Sequence, residues 1–122
     1  MPRNPSTPST ESLVVTEVIA DLPVLRDATT SRVLLNNDVL RVVLFSMDTG
    51  QLLTEHSSPK AVVVELLDGK MDFTVAGESS ILAPGDVVYL APGERHALVA
   101  LEPSHMSLTL VHVDKAGRPR KD

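Results

Sequence analysis

The sequence predicts an all-β domain, and three observations carry that prediction. Ten short runs are rich in Val, Leu and Ile, turn residues separate them, and no window sustains a helical period with caps. The runs read LVVTEVI, RVLL, VLRVVLFSM, QLLTEH, AVVVELL, KMDFTVA, SSILA, DVVYL, HALVAL and MSLTLVHV. NND, DTG, DG, AGE, APGD and APGE stand between them. Many short strands punctuated this way make a sandwich or a barrel, with little helix.

Taken in order, residues 1–12 are rich in Pro, Ser and Thr and offer little apolar surface to offset the entropy of ordering. A disordered arm is expected there, able to pair along a dimer edge. A single barrel is expected over 13–113, beginning with the run LVVTEVI. In KMDFTV the polar Lys70, Asp72 and Thr74 alternate with Met71, Phe73 and Val75, the period-two pattern of a half-buried strand. Asp68-Gly69 predicts a two-residue hairpin joining AVVVELL to KMDFTV, because a type I′ turn needs positive φ at both central positions. Pro84-Gly85 and Pro92-Gly93 mark two further turns. AVVVELL is apolar on both faces and so calls for cover on both, which a second copy of the chain would supply. The last residues, 114–122, read as a flexible basic tail.

Composition narrows the function. A chain of 122 residues suffices for one core without staples. It has no cysteine, so neither a disulfide framework nor a thiolate metal site is available. Sixteen acidic against 11 basic residues give a net charge of −5, which disfavours neutralising phosphates, and no nucleic-acid partner is expected. Phe45, Phe73 and Tyr89 are the only Phe, Tyr or Trp residues, too few for a base-stacking platform. Nothing near the start has the form of a secretory leader, and no apolar run approaches the ~20 residues that span a bilayer. A cytoplasmic protein without a membrane partner is the expectation.

Two motifs then resemble a known family. Gly50 is followed after five residues by His56, then by Ser58, Val62 and, after six more, Gly69. Further on come Gly85, Ala91-Pro92-Gly93, His96 and Ala100. This spacing is similar to the two motifs of the cupins, and the likeness runs from about Val33 to Val113. The resemblance implies a double-stranded β-helix, or jelly-roll barrel, of about ten short strands. In metal-binding cupins, two histidines and a glutamate of the first motif and one histidine of the second surround a divalent ion. By position, only His56 and His96 fill those places here. Ser58 stands at the second histidine and Val62 at the glutamate. A bound Zn, Fe, Mn or Ni would therefore be held weakly, by two imidazoles short of a full set.

Few other side chains could replace the missing ligands. Glu65 and Glu55 fall on the opposite strand face from the ligand positions. Glu94, in the turn before His96, and His112, in phase with Met106, Leu108 and Leu110, are candidates to complete a site. His105 reads as a surface loop residue. Without a metal, His56, Ser58, Val62, Val64 and His96 form a candidate ligand pocket. In it, neutral imidazoles orient a carboxylate, carbonyl or hydroxyl of a small organic molecule. A metal-free reaction would pair one of these histidines with Tyr89 as the acid.

The expected protein is thus a small stand-alone barrel that binds or senses a small organic molecule, with no established catalysis, as a cytoplasmic homodimer. The alternative is a metal-dependent enzyme of dioxygenase or isomerase type working through a reduced His56/His96 site.

Overall fold

The computed structural model describes residues 6–119. Nine strands follow one another: β1 (Thr29–Asn36), β2 (Leu40–Met47), β3 (Leu52–His56), β4 (Ala61–Asp68), β5 (Met71–Val75), β6 (Glu78–Leu82), β7 (Val87–Leu90), β8 (His96–Ala100) and β9 (Ser104–Val111). No helix occurs among the described residues. One sheet has the order β1-β2-β9-β4-β7 and the other β3-β8-β5-β6. Every pairing is antiparallel.

Alternation decides which side chains go inside. In β4, Val62, Val64 and Leu66 are buried while Val63 and Glu65 are exposed. In β5, Met71 and Phe73 are buried. The inner faces meet in a filled core in which Met47, Leu66, Met71, Phe73 and Met106 are inaccessible to solvent. Each such side chain contributes roughly 1.5–3 kcal/mol on burial.

Three expectations are corrected. Asp68-Gly69 is not a hairpin, because β4 and β5 lie in different sheets. Gly69 has φ +85° but Asp68 does not take positive φ. The turn instead carries the chain from one sheet to the other, pressed against the start of β9. A β-carbon on Gly69 would overlap Ser104 Oγ and the Pro103 carbonyl, so only glycine fits. The hairpin with two positive φ angles is at Ala76 (+50°) and Gly77 (+84°), joining β5 to β6.

The second correction concerns LVVTEVI, which forms no strand, so nine strands stand where ten runs were counted. The chain from 17 to 27 instead makes turns and crosses the outside of the five-stranded sheet. Met47 belongs to the core, so Leu44 and Ser46 point the other way along β2, yet both are buried. The crossing segment is tied down there: Ser46 Oγ donates to the Pro23 carbonyl at 3.4 Å, and His105 Nε2 donates to that of Leu22 at 2.6 Å.

Third, His105 is no loop residue. It lies in β9 and is 5% exposed. Its Nδ1 meets the two Asp68 oxygens at 2.9 and 3.1 Å, while Asp68 Oδ1 also accepts its backbone N–H at 2.7 Å. A ring with acceptors at both nitrogens satisfies both only by donating from both.

The end of the chain makes local contacts as far as it is described. Val113 bridges Pro119, and Asp114 Oδ1 accepts the N–H groups of Ala116 and Arg118, each at 2.9 Å. Of the arm expected over 1–12, residues 1–5 lie outside the described residues, and Thr7 N–H donates to the Asn36 carbonyl at 3.1 Å. No helix among the described residues is long and apolar enough to cross a membrane.

Candidate functional site

β3 ends at His56 and β8 begins at His96, and the register sets the two residues opposite each other. Cross-strand partners share a face, so the rings meet: their centroids are 4.2 Å apart, with planes tilted by 58°. His56 is exposed at the rim, whereas His96 is 6% exposed and stacks on Phe73, 6.1 Å away and nearly parallel.

The two imidazoles are held in the same way. His56 Nδ1 is 2.8 Å from the Thr54 carbonyl, and His96 Nδ1 is 3.1 Å from the Glu94 carbonyl, two residues back in each case. A carbonyl only accepts, so Nδ1–H is the donor in both rings. Each neutral ring therefore presents Nε2 as a lone pair. Burial, the largest influence, pushes the His96 pKa below the usual histidine value. The nearby His56 acts in the same direction, against the Glu94 carbonyl bond and carboxylate. His96 is thus biased toward the neutral acceptor form. Outside the barrel, Arg95 Nε and Glu55 Oε1 pair at 3.3 Å across the same strand ends, a largely exposed contact that aligns more than it stabilises.

Ser58 joins the two turns of the site. Its Oγ accepts Lys60 N–H at 3.1 Å and its carbonyl accepts Gly93 N–H at 2.7 Å. Val62 and Val64, 3% and 1% exposed, sit in the packed core, Val62 on the histidine side of Val64. Glu94 offers its backbone to His96. His112, two residues beyond Leu110, has its Nε2 engaged, donating to the Asn37 carbonyl at 3.1 Å. Tyr89 is 61% exposed on the outer face, since its strand neighbours Val88 and Leu90 pack inward. It cannot serve as the acid partner of an inward-facing histidine.

The donor set does not fit a resident divalent ion. Among the described residues no three His, Cys, Asp or Glu side chains are placed to share a metal. Two imidazoles with Val62 at the carboxylate position fall short of the three or four donors that zinc takes, or the two His and one carboxylate of non-haem iron.

One residue of this end of the barrel was missed. Across the five-stranded sheet, register aligns Asn36, Arg41, Leu110, Val62 and Leu90 in one row. Val62 and Leu90 belong to the core and Leu110 packs against it, so the row faces inward. It lies at the histidine end, because Val62 follows the turn after His56 and Leu90 precedes the turn before His96. Arg41 is in that row, and its Nε is buried without a hydrogen-bond partner among the described residues. The available signal was a lone cation inside the apolar run VLRVVLFSM.

Comparison with known proteins bears on this geometry. The family model described as "Cupin domain" matches residues 43–112. A conserved protein of unknown function from Streptococcus pyogenes is 30% identical, with a TM-score of 0.76 over 91% of this chain and 92% of its own. KdgF from a Halomonas species is 22% identical, with a TM-score of 0.71 over 91% of this chain and 97% of its own. An RmlC-like cupin from Shewanella frigidimarina is 19% identical, with a TM-score of 0.71 over 87% of this chain and 95% of its own. No curated protein matches the chain.

Proposed function

This chain belongs to the cupin family, and on that premise we propose that it is a small stand-alone binding protein that holds a small organic molecule at the His56/His96 end of its barrel. The observation that carries this reading is the matched pair of imidazoles, each with Nδ1–H committed to a backbone carbonyl and Nε2 left as an acceptor. Two fixed acceptors over an apolar floor orient a ligand that brings hydrogen-bond donors. The fold by itself assigns no activity, since one barrel hosts many chemistries. Among the described residues no three His, Cys, Asp or Glu side chains gather at the site, and Tyr89 stands on the outer face.

Thermal melting of the untagged protein against a panel of small metabolites tests this. A compound that raises the midpoint saturably in the wild type and fails to do so in His96→Asn supports it. A panel with no effect refutes it.

The second reading, a metal-dependent enzyme of dioxygenase or isomerase type, draws on the same Nε2 pair. One equivalent of iron, manganese, zinc or nickel in the untagged protein, lost in His56→Ala, would establish it over the first. We further infer a homodimer, supported by Val63, Val87 and Tyr89 standing exposed on the outer face of neighbouring strands. A monomer by light scattering at micromolar concentration would overturn the dimer.

A further inference from the structure

We propose that the ligand is a small hydroxylated carboxylic acid, and that Arg41 is the residue that takes its carboxylate. This rests on the binding reading above and adds the chemical class. Arg41 is drawn inward by its register with Leu110 and stands in one row with Val62 and Leu90. A guanidinium always carries its charge and presents donors in a planar fork that matches a carboxylate. Here its Nε is buried with no acceptor. No ion pair or side-chain hydrogen bond with another described residue engages the group either. A buried donor without a partner is costly, and an arginine in the inward-facing row in that state is a group awaiting its acceptor.

The other sheet specifies the remainder of the ligand. His56 and His96 offer Nε2 lone pairs, so the atoms they meet must be donors, which are hydroxyls in a small organic acid. The two sheets thus present unlike groups to one end of the barrel: a cationic donor from β2, and two imidazoles from β3 and β8 whose Nδ1 atoms are taken up by backbone carbonyls. A single cation, in a chain of net charge −5, suits a monoanionic carboxylate better than a phosphate dianion. Because His96 is biased against protonation, it does not compete with Arg41 for that carboxylate.

The test is a titration of the full-length protein with gluconate, with hexanoate (a carboxylate without hydroxyls) and with sorbitol (hydroxyls without a carboxylate). It is followed by the nitrogen-15 resonances of the Arg41 Nε–H and of the two histidine rings. Gluconate should shift all three saturably and bind more tightly than either control. Arg41→Gln should weaken it about tenfold or more, the loss of one charge-assisted pair. Arg41→Lys keeps the charge, loses the fork and should fall between the two. It also stands in if the Gln variant does not fold.

If gluconate moves the histidine rings while Arg41 stays still and Arg41→Gln binds equally well, the arginine assignment is wrong and the binding reading survives. If sorbitol binds as tightly as gluconate, the acid class is wrong. If a different compound from the metabolite panel binds at the histidines and no carboxylate does, this proposal fails alone. If nothing shifts His56 or His96, both readings fail together.

Discussion

The two glycines of the first motif, Gly50 and Gly69, have nearly the same backbone angle, φ +86° and +85°, and opposite surroundings. A β-carbon at Gly50 meets nothing within 4 Å, while one at Gly69 runs into Ser104 Oγ and the Pro103 carbonyl. Replacing each by alanine separates conformational strain from steric exclusion. At Gly50 only strain operates: about 1–2 kcal/mol for the left-handed region, less the ~0.5 kcal/mol that a stiffer unfolded chain returns, or about 1 kcal/mol net. At Gly69 the backbones must also part. That parting threatens the bonds from Lys70 N–H to Ser104 Oγ at 3.0 Å and from Leu101 N–H to the Lys70 carbonyl at 2.8 Å. Two such bonds at about 1 kcal/mol each bring Gly69→Ala to about 3 kcal/mol. For 122 residues, at about 2.1 cal/mol/K each, 1 kcal/mol corresponds to about 4 °C of melting midpoint. Far-UV circular dichroism should therefore place Gly50→Ala about 4 °C below wild type and Gly69→Ala about 12 °C below it. Equal losses in the two variants would refute the steric argument.

Three further outcomes are expected. Below the ordinary histidine value of 6.5 the unfolded chain takes up a proton that buried His96 resists, so stability falls on acidification from there until His96 itself protonates. Urea denaturation from about pH 8 to about pH 5 should show this loss in wild type and a shallower one in His96→Gln. His105→Phe keeps the bulk but frees the Leu22 carbonyl and Asp68, so amide exchange across 17–27 should accelerate while that of β5 and β8 stays unchanged. Arg41→Met removes a buried donor that has no partner, and should raise the melting midpoint of the ligand-free protein by about 4 °C. A lower midpoint would mean that Arg41 is already satisfied within the fold.

Strand existence and the histidine pair were legible because both are local. Alternation in KMDFTV needs only neighbours, and the spacing from Gly50 to Gly69 places His56 at a strand end whatever else the chain does. What failed depended on distant partners. Turn chemistry at Asp68-Gly69 is the same whether the next strand pairs with the last or departs for another sheet. His105 looked unremarkable because its partners, Asp68 and Leu22, are 37 and 83 positions away. LVVTEVI has strand composition, but the chain just after it is spent on covering Leu44 and Ser46 from outside rather than on pairing. Arg41 was invisible as a site residue for a related reason. Its inward phase follows from register with β9, and no rule of alternation marks which face of an apolar run is the inner one.

β9 lies between β2 and β4 in the middle of the five-stranded sheet, although it is the last strand to be made. During synthesis β1 and β2 can form their hairpin early, as can β5 and β6, but until residues 104–111 leave the ribosome β2 and β4 each keep one flank of backbone donors and acceptors open. Open flanks of apolar strands recruit other chains. A chain cut short of Ser104 therefore carries two half-sheets, β1-β2 and β4-β7, each with an open flank suited to aggregation or to capture by chaperones.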